Sequence, residues 1–369
     1  MTSHNRLAYV VHPANGTYAS QIERLALRVP TGLAAPPPLI MMLHGGGWTA
    51  GGDKSLLAQE AYFVNLGYAV ASVEYRLADG AAAPPASTNL FPAGLQDVRC
   101  AARWLIRRAD HYGYRAPPIG LFGQSAGGNL AAMLVATRDR GVPGFDSGDC
   151  PYGPLGDHRW HPKDRIPIDI GVVTDLFGNN TASSQTGCPS DVKGCDPYPF
   201  ESSWYYNRIT QSYLTVNDIL RYFGYFQLHP HMYPAPATPQ TAQAYAERLA
   251  ADQSVQSAMP TGEIARNWGR TDYALPPFVI FNGAADTIVP SVQSVDLIDL
   301  LASHGVPVIG TPAAPAFGQP ALAPVTGLPH GFSPFQFSAA YGQKHPKADL
   351  VTANQAACNM IAAYATYLP

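Results

Sequence analysis

Apolar residues gather in five short, continuous runs: "PLIMMLHG" (38–45), "YAVASVEY" (68–75), "PIGLFGQ" (118–124), "IPIDIGVV" (166–173) and "PPFVIFNG" (276–283). Runs of this length without polar alternation are expected of strands covered on both faces. Helical patterns fall between and after them, at 54–67, 91–113, 126–139, 292–305 and 346–368. Strand alternating with helix predicts an α/β fold with a mainly parallel sheet and helices on both faces.

Two regions break the rhythm. Residues 141–165 are rich in Gly, Pro, Asp and His, and 177–275 separate two strand candidates by far more than one crossover needs. The second region carries a dense aromatic stretch that includes Trp204, Tyr205, Tyr206, Tyr213, Tyr222, Phe223, Tyr225 and Phe226. The strand pattern resumes after it, which favours a cap inserted into one domain over a second independent domain. The expected organisation is a core of 1–176 and 276–369 with a cap of 177–275.

Composition narrows the function classes. The chain has 369 residues, 46% hydrophobic and 13% charged, with a formal net charge of -3 and no basic tract. Nothing in this charge balance suits a nucleic-acid or acidic-lipid partner. No apolar run reaches the ~18 residues of a membrane span. The first residues lack a basic segment leading into a long apolar core, so they do not read as a secretory leader. The expectation is an intracellular protein or one whose leader is removed.

The five cysteines are an odd number. Cys100 and Cys358 fall in helical patterns and read as buried small hydrophobes. Cys150, Cys188 and Cys195 lie in irregular sequence, and Cys188–Cys195 is the expected bridge, with Cys150 as an alternate partner of either. A bridge would favour a secreted or periplasmic protein, and free thiols a cytoplasmic one. Cys150, His158 and His161 are close in sequence but show no zinc-like spacing, so no metal is expected.

The candidate chemistry centres on "GQSAG" (123–127), which fits G-x-S-x-G. The pattern follows an apolar strand and opens a helix, the setting of a nucleophile elbow at Ser125. A serine on so tight a turn crowds the residues two before and two after it, and here both are glycine. Ala126 is small, and its N–H at the helix start can face an oxyanion. "HGGGW" (44–48) follows another strand, and glycines there let backbone N–H groups approach a ligand. A base and an orienting carboxylate complete such a site, in the chain order Ser, acid, His. Asp286 stands just past the strand 276–283, and His330 lies between that strand and the last helix. Asp175 competes with Asp286, because it also follows a strand, but it precedes the insertion. Taken singly, Asp286 could be a helix cap and His330 an ordinary loop histidine.

Together "HGGGW", "VEYRLA", "FPAGLQDVRCAARWL", "GQSAGGNLAA", "GAADTIVP" and "PHGF" resemble the α/β-hydrolase carboxylesterases of the hormone-sensitive-lipase and bacterial feruloyl-esterase-like type, over about 40–140 and 275–335. The resemblance implies an eight-stranded sheet and cofactor-free ester hydrolysis through an acyl-enzyme. It carries over Ser125, Asp286 and His330 as a triad and Gly46, Gly47 and Ala126 as oxyanion donors. Trp48, closing the glycine loop, and Trp204 and Tyr205 of the insertion are the candidate substrate contacts. The insertion matches no pattern of that family, which leaves the substrate open. A carbohydrate-linked feruloyl or acetyl ester and an arylformamide are alternatives. So is a non-catalytic binding protein on the same fold. The only partner implied is a small-molecule ester, and the sequence is silent on oligomeric state.

Overall fold

The computed structural model describes residues 1–14, 19–78, 89, 91–138, 145–152, 168–174, 206–207, 212–213, 259–270, 273–282, 292–310 and 360–368. Its elements are β1 (Thr2–His12), β2 (Gln21–Val29), β3 (Pro38–Leu43), α1 (Leu57–Asn65), β4 (Ala69–Val73), α2 (Ala93–Tyr112), β5 (Arg115–Gln124), α3 (Ala126–Thr137) and β6 (Ile168–Thr174). After these come the two-residue strands β7 (Tyr206–Asn207) and β8 (Ser212–Tyr213), then α4 (Pro260–Asn267), β9 (Phe278–Phe281), α5 (Val292–Ser303) and β10 (Val308–Gly310). A helix over 360–367, α6, follows. Eight strands form one sheet in the order β1-β2-β4-β3-β5-β6-β9-β10. The pairs β1–β2 and β2–β4 are antiparallel, and the rest are parallel.

The continuous apolar runs follow from this layering. Along β3, Leu39, Met41 and Leu43 join the core beneath α2 and α3, while Ile40 and Met42 join a second core with Phe63 of α1 and Tyr364 of α6. β9 divides the same way, Phe278 and Ile280 against Val279 and Phe281. A strand apolar on both faces cannot show period-two alternation, which is why the runs read as they do. α6 is fixed by more than packing: the Tyr364 hydroxyl donates to the Leu121 carbonyl at 2.6 Å.

The antiparallel hairpin β1–β2 did not emerge from the hydrophobic pattern. β1 is mostly exposed through its first half and carries irregular register at His4/Leu7 and Ala8/Val10. A half-solvated, bulged strand shows neither a continuous run nor clean alternation. β10 is too short to register. α4 falls at the end of the 177–275 insertion, yet its Ile264, with Met259 beside it, belongs to the core cluster shared with α3. The aromatic stretch lies outside the described residues, apart from the four residues of β7 and β8. Among the described residues no helix is long and apolar enough to cross a membrane.

The cysteine expectation is corrected at two positions. Cys100 of α2 is bonded to Cys150, 50 residues away. It is therefore not a free buried hydrophobe, and Cys150 is neither the partner of Cys188 or Cys195 nor a thiol available to a metal. Cys188, Cys195, Cys358, His158 and His161 lie outside the described residues. The bridge is one of several ties between α2 and residues 145–152. Asp146 accepts from Arg99 Nε at 2.8 Å and Nη2 at 3.1 Å, and from Arg103 Nη1 at 2.6 Å. These guanidinium groups hold the Asp146 carboxyl below its usual range although burial alone would raise it. The Arg107 guanidinium lies over the Tyr152 ring at 5.6 Å.

A crosslink closing a loop of this length restricts the unfolded chain by about 4 kcal/mol. Cys150→Ser is expected to lower unfolding stability in urea by a large part of that amount while the chain still folds. An unchanged midpoint, or two free thiols at Cys100 and Cys150 in oxidised protein, would refute the bridge.

Candidate functional site

Ser125 is the single residue between β5 and α3. Its backbone stands at φ 56° and ψ -122°, a region that L-residues avoid. Such a conformation costs on the order of 1–3 kcal/mol and persists only where the surroundings enforce it. The surroundings here are close. A β-carbon on Gly123 would collide with the Gly127 carbonyl and approach Ala131 Cβ to 2.8 Å, and one on Gly127 would collide with the carbonyls of Leu43 and His44. The first turn of α3 is thereby seated directly on the end of β3. The Ser125 carbonyl accepts the first helical bond, from Asn129 N–H at 3.1 Å, but its side chain makes no capping bond within α3. Ser125 is 5% exposed.

The same close approach brings the glycine loop to the serine. A β-carbon on Gly45 would stand 2.9 Å from Ser125 Cβ and 3.6 Å from Ser125 Oγ. The chain then turns sharply, with Gly46 at φ 120° and Gly47 at φ 60°. The Gly46 carbonyl accepts from Thr49 N–H at 3.1 Å and Ala50 N–H at 3.0 Å, so the turn is closed by its own main chain.

His44 and Tyr75 fix the start of this loop, and the sequence reading gave neither a role. Their rings stack at 4.4 Å and 11°. The Tyr75 hydroxyl donates to the His44 carbonyl at 2.7 Å, and His44 Nδ1 lies 2.7 Å from the Gly45 carbonyl oxygen. Burial pushes the His44 pKa down, and that outweighs the raising effects of the Gly45 carbonyl and Asp53. A neutral ring with its proton on Nδ1 donates to Gly45. The signal in the sequence was the histidine directly before the glycines and the tyrosine at the end of the next strand.

Register aligns the rest of the site. Gln124 pairs with Thr174, and Thr174 with Phe281, so β5, β6 and β9 end on one level. Leu43 is level with Gly123 on the other side. The chain therefore leaves β3, β5, β6 and β9 from one edge of the sheet, the carboxyl ends where ligands bind in open parallel sheets. β9 is two strands from β5, about 10 Å at the usual spacing. Asn282, just after β9, accepts a hydrogen bond from Ser294 of α5 at 2.9 Å.

Of the candidate residues, the structure places Ser125, Ala126, Gly46 and Gly47 at this edge. Trp48 follows them with φ 59° and is buried in the core, where it lines a small cavity with Arg76, Phe91, Leu95 and Leu130. Asp286, His330, Asp175, Trp204 and Tyr205 lie outside the described residues. Among the described residues no group of three His, Cys, Asp or Glu side chains is arranged to hold a metal ion.

Known proteins bear on this arrangement. A model of the BD-FAE family matches residues 25–301. Carboxylesterase NlhH of Mycobacterium tuberculosis is 35% identical over 99 residues, which are 26% of this chain, and the match spans 28% of that protein's length. A truncated carbohydrate esterase from gut microbiota superposes with a TM-score of 0.54 at 19% identity, covering 97% of both chains. The esterase Est2 of Thermogutta terrifontis superposes with a TM-score of 0.56 at 18% identity, covering 94% of this chain and 88% of that one. These superpositions show the α/β-hydrolase fold.

Because backbone carbonyls, not flexible side chains, fill the space beside residue 127, Gly127→Ala is expected to destabilise the fold by about 1–3 kcal/mol, the usual penalty of overpacking. Thermal unfolding followed by circular dichroism measures it. A variant as stable as the parent would show that α3 does not sit on β3 as closely as described.

Proposed function

The chain belongs to the BD-FAE family of α/β-hydrolases, and from that membership and the bend at Ser125 we propose that it is a serine carboxylesterase. The observation that carries the reading is the backbone of Ser125, held at φ 56° and ψ -122° with Gly45 against its β-carbon. A hydroxyl on such a turn is presented at the sheet edge rather than spent on capping the helix. In this reading Ser125 Oγ attacks the ester carbonyl while His330 takes its proton. The negative oxygen of the tetrahedral intermediate is received by N–H groups of Gly46, Gly47 and Ala126, aided by the dipole of α3. His330 protonates the departing alcohol, leaving an acyl-enzyme. Water, deprotonated by His330, then releases the acid. Asp286 holds the His330 tautomer and stabilises its imidazolium. No cofactor enters these steps.

The insertion at 177–275, apart from α4 and the residues after it, which pack with the core, is proposed as the cap over this edge, because the chain enters it from the end of β6. Trp204 and Tyr205 would line the acyl or alcohol pocket and favour aromatic or bulky esters. A panel varying acyl and alcohol groups separately, with acetylated and feruloylated carbohydrates and an arylformamide included, separates the substrate classes. Loss of the aryl-to-acetyl rate preference on Trp204→Ala or Tyr205→Ala would support the pocket assignment. If neither that ratio nor stability changes, these rings have no part in it.

Ser125→Ala is expected to fold normally and lose hydrolysis by up to ~10⁶-fold. A fluorophosphonate should label the parent at Ser125. Absence of labelling would favour a binding protein on this fold, and activity above a tenth in the alanine variant would overturn the nucleophile. Asp286→Asn should lower turnover by about 10⁴-fold with little change in KM. An inactive Asp175→Asn beside an active Asp286→Asn would instead make Asp175 the orienting acid.

A further inference from the structure

His12 ends β1 and is 6% exposed. Its Nε2 lies 2.9 Å from Asp97 Oδ1 and its Nδ1 lies 3.0 Å from Asp149 Oδ2. A neutral imidazole has one N–H and one lone pair, so it satisfies one carboxylate and turns a lone pair towards the other. Only the imidazolium satisfies both. Asp97 of α2 is fully buried and receives Arg76 at the same time. It accepts from the Arg76 main-chain N–H at 2.8 Å, from Nε at 2.9 Å and from Nη2 at 2.9 Å. Arg76 follows Tyr75, the residue that stacks on His44 and bonds its carbonyl. A contiguous path therefore runs from the partly exposed Asp149 through His12, Asp97, Arg76, Tyr75 and His44 to Gly45 and Ser125.

The charged groups facing His12 come from every element around it. They are Asp97 from α2, Asp149 from 145–152, Arg76 from the segment after β4, and Glu23 from β2 with Glu74 beyond it. With His12 protonated, two cations face Asp97 and Asp149. Glu23 is pushed up to about 7, first by burial and then by Asp97.

We propose that His12 is a positioning residue for catalysis at Ser125: its imidazolium, clamped between Asp97 and Asp149, holds Arg76 and Tyr75 where they fix the His44–Gly47 loop, and loss of that proton loosens the loop. This rests on the esterase reading of Ser125. Burial alone would push the His12 pKa down, but the hydrogen bonds to Asp97 and Asp149 outweigh it and the net shift is upward. A group whose folded pKa is raised contributes stability that is fully present below its unfolded value and is lost as pH rises through the folded value. The clamp is thus closed on the acid side and opens on the alkaline side, opposite in sense to the catalytic histidine, which must be neutral to act as base.

Asp149 is 39% exposed, so Asp149→Asn removes one carboxylate without opening the core. The test follows the ring resonances of His12 and His44 by NMR in the full chain across the neutral and alkaline range, together with kcat and KM on p-nitrophenyl acetate. In the parent, His44 should report the His12 midpoint, and kcat should fall on the alkaline side with that same midpoint while KM changes little. Asp149→Asn should move both midpoints acidward by about one pH unit, the lower end of what a neighbouring opposite charge contributes. His12→Gln should lose the alkaline fall and show a lower kcat throughout. Glu23→Gln should keep the alkaline fall and move its midpoint acidward by less than Asp149→Asn does, since Glu23 faces His12 without a hydrogen bond to it. A His44 that ignores the titration of His12, an alkaline fall unmoved by Asp149→Asn, or one abolished by Glu23→Gln would each overturn the clamp. A chain that hydrolyses no ester while His44 still follows His12 would overturn the esterase reading and leave the coupling standing.

Discussion

The carbonyls of Leu43 and His44 occupy the space a β-carbon on residue 127 would need. That single exclusion joins the end of β3 to the first turn of α3, and the site geometry follows from it. It brings Gly45 onto Ser125, and it holds Ser125 in a conformation that the residue would not adopt alone. The strain at Ser125 is local, but what balances it is not. Every residue of α3 from Ala126 to Thr137 is buried, so turning the helix away to relax one φ angle would expose a whole apolar element. At the usual gain of ~25 cal/mol per Å² of buried apolar surface, a few side chains of this helix outweigh the backbone cost.

α2 is the second organising element, and its role is polar. Within two turns it presents Asp97 to His12 and Arg76, Arg99 and Arg103 to Asp146, and Cys100 to Cys150. Buried ion pairs are poor evidence of net stability, because desolvation cancels much of their attraction. What they add is direction. An apolar helix face can slide or rotate against a sheet at small cost, whereas a fully buried Asp97 with donors from β1 and from the segment after β4 has one position that satisfies it. Arg99 is likewise directed by Asp146 and by the Thr137 carbonyl and hydroxyl. α2 therefore sets the position of the N-terminal hairpin and of residues 145–152 at once.

What could be read from the sequence divides along the same line. β3, β4, β5, β6 and β9 were legible because burial on both faces leaves an unbroken apolar run. The bend at Ser125 was legible because its requirement for small neighbours is written within five residues. β1 and β2 were not, since a half-solvated antiparallel hairpin with bulges has no strong period. The Cys100–Cys150 bridge was missed because proximity in sequence favoured Cys188–Cys195, and a helix such as α2 gives no local sign that a partner 50 residues on will return to it. In the sequence His44 reads as part of a glycine motif, because its meaning depends on Tyr75, 31 residues later. Local steric demands leave a trace in sequence, and long-range polar pairing does not.

The two kinds of support meet in the loop after β3. A loop meant to bring main-chain N–H groups to a ligand must shed its side chains, and in doing so it sheds the means by which loops usually pack. Glycines at Gly45, Gly46 and Gly47 also lose more conformational entropy on ordering than other residues do. Apolar contact cannot compensate where there is nothing apolar to bury. The remaining means are directional: the turn closed on the Gly46 carbonyl, His44 on the Gly45 carbonyl, and Tyr75 on the His44 carbonyl. Tyr75 must itself be fixed for its hydroxyl to have direction. Gly94 of α2 admits its ring closely, since a β-carbon there would lie 3.3 Å from it, and Arg76 anchors the next residue on Asp97. Residues remote from Ser125 in sequence thus bear on its geometry because the loop beside it has no side chains with which to hold itself.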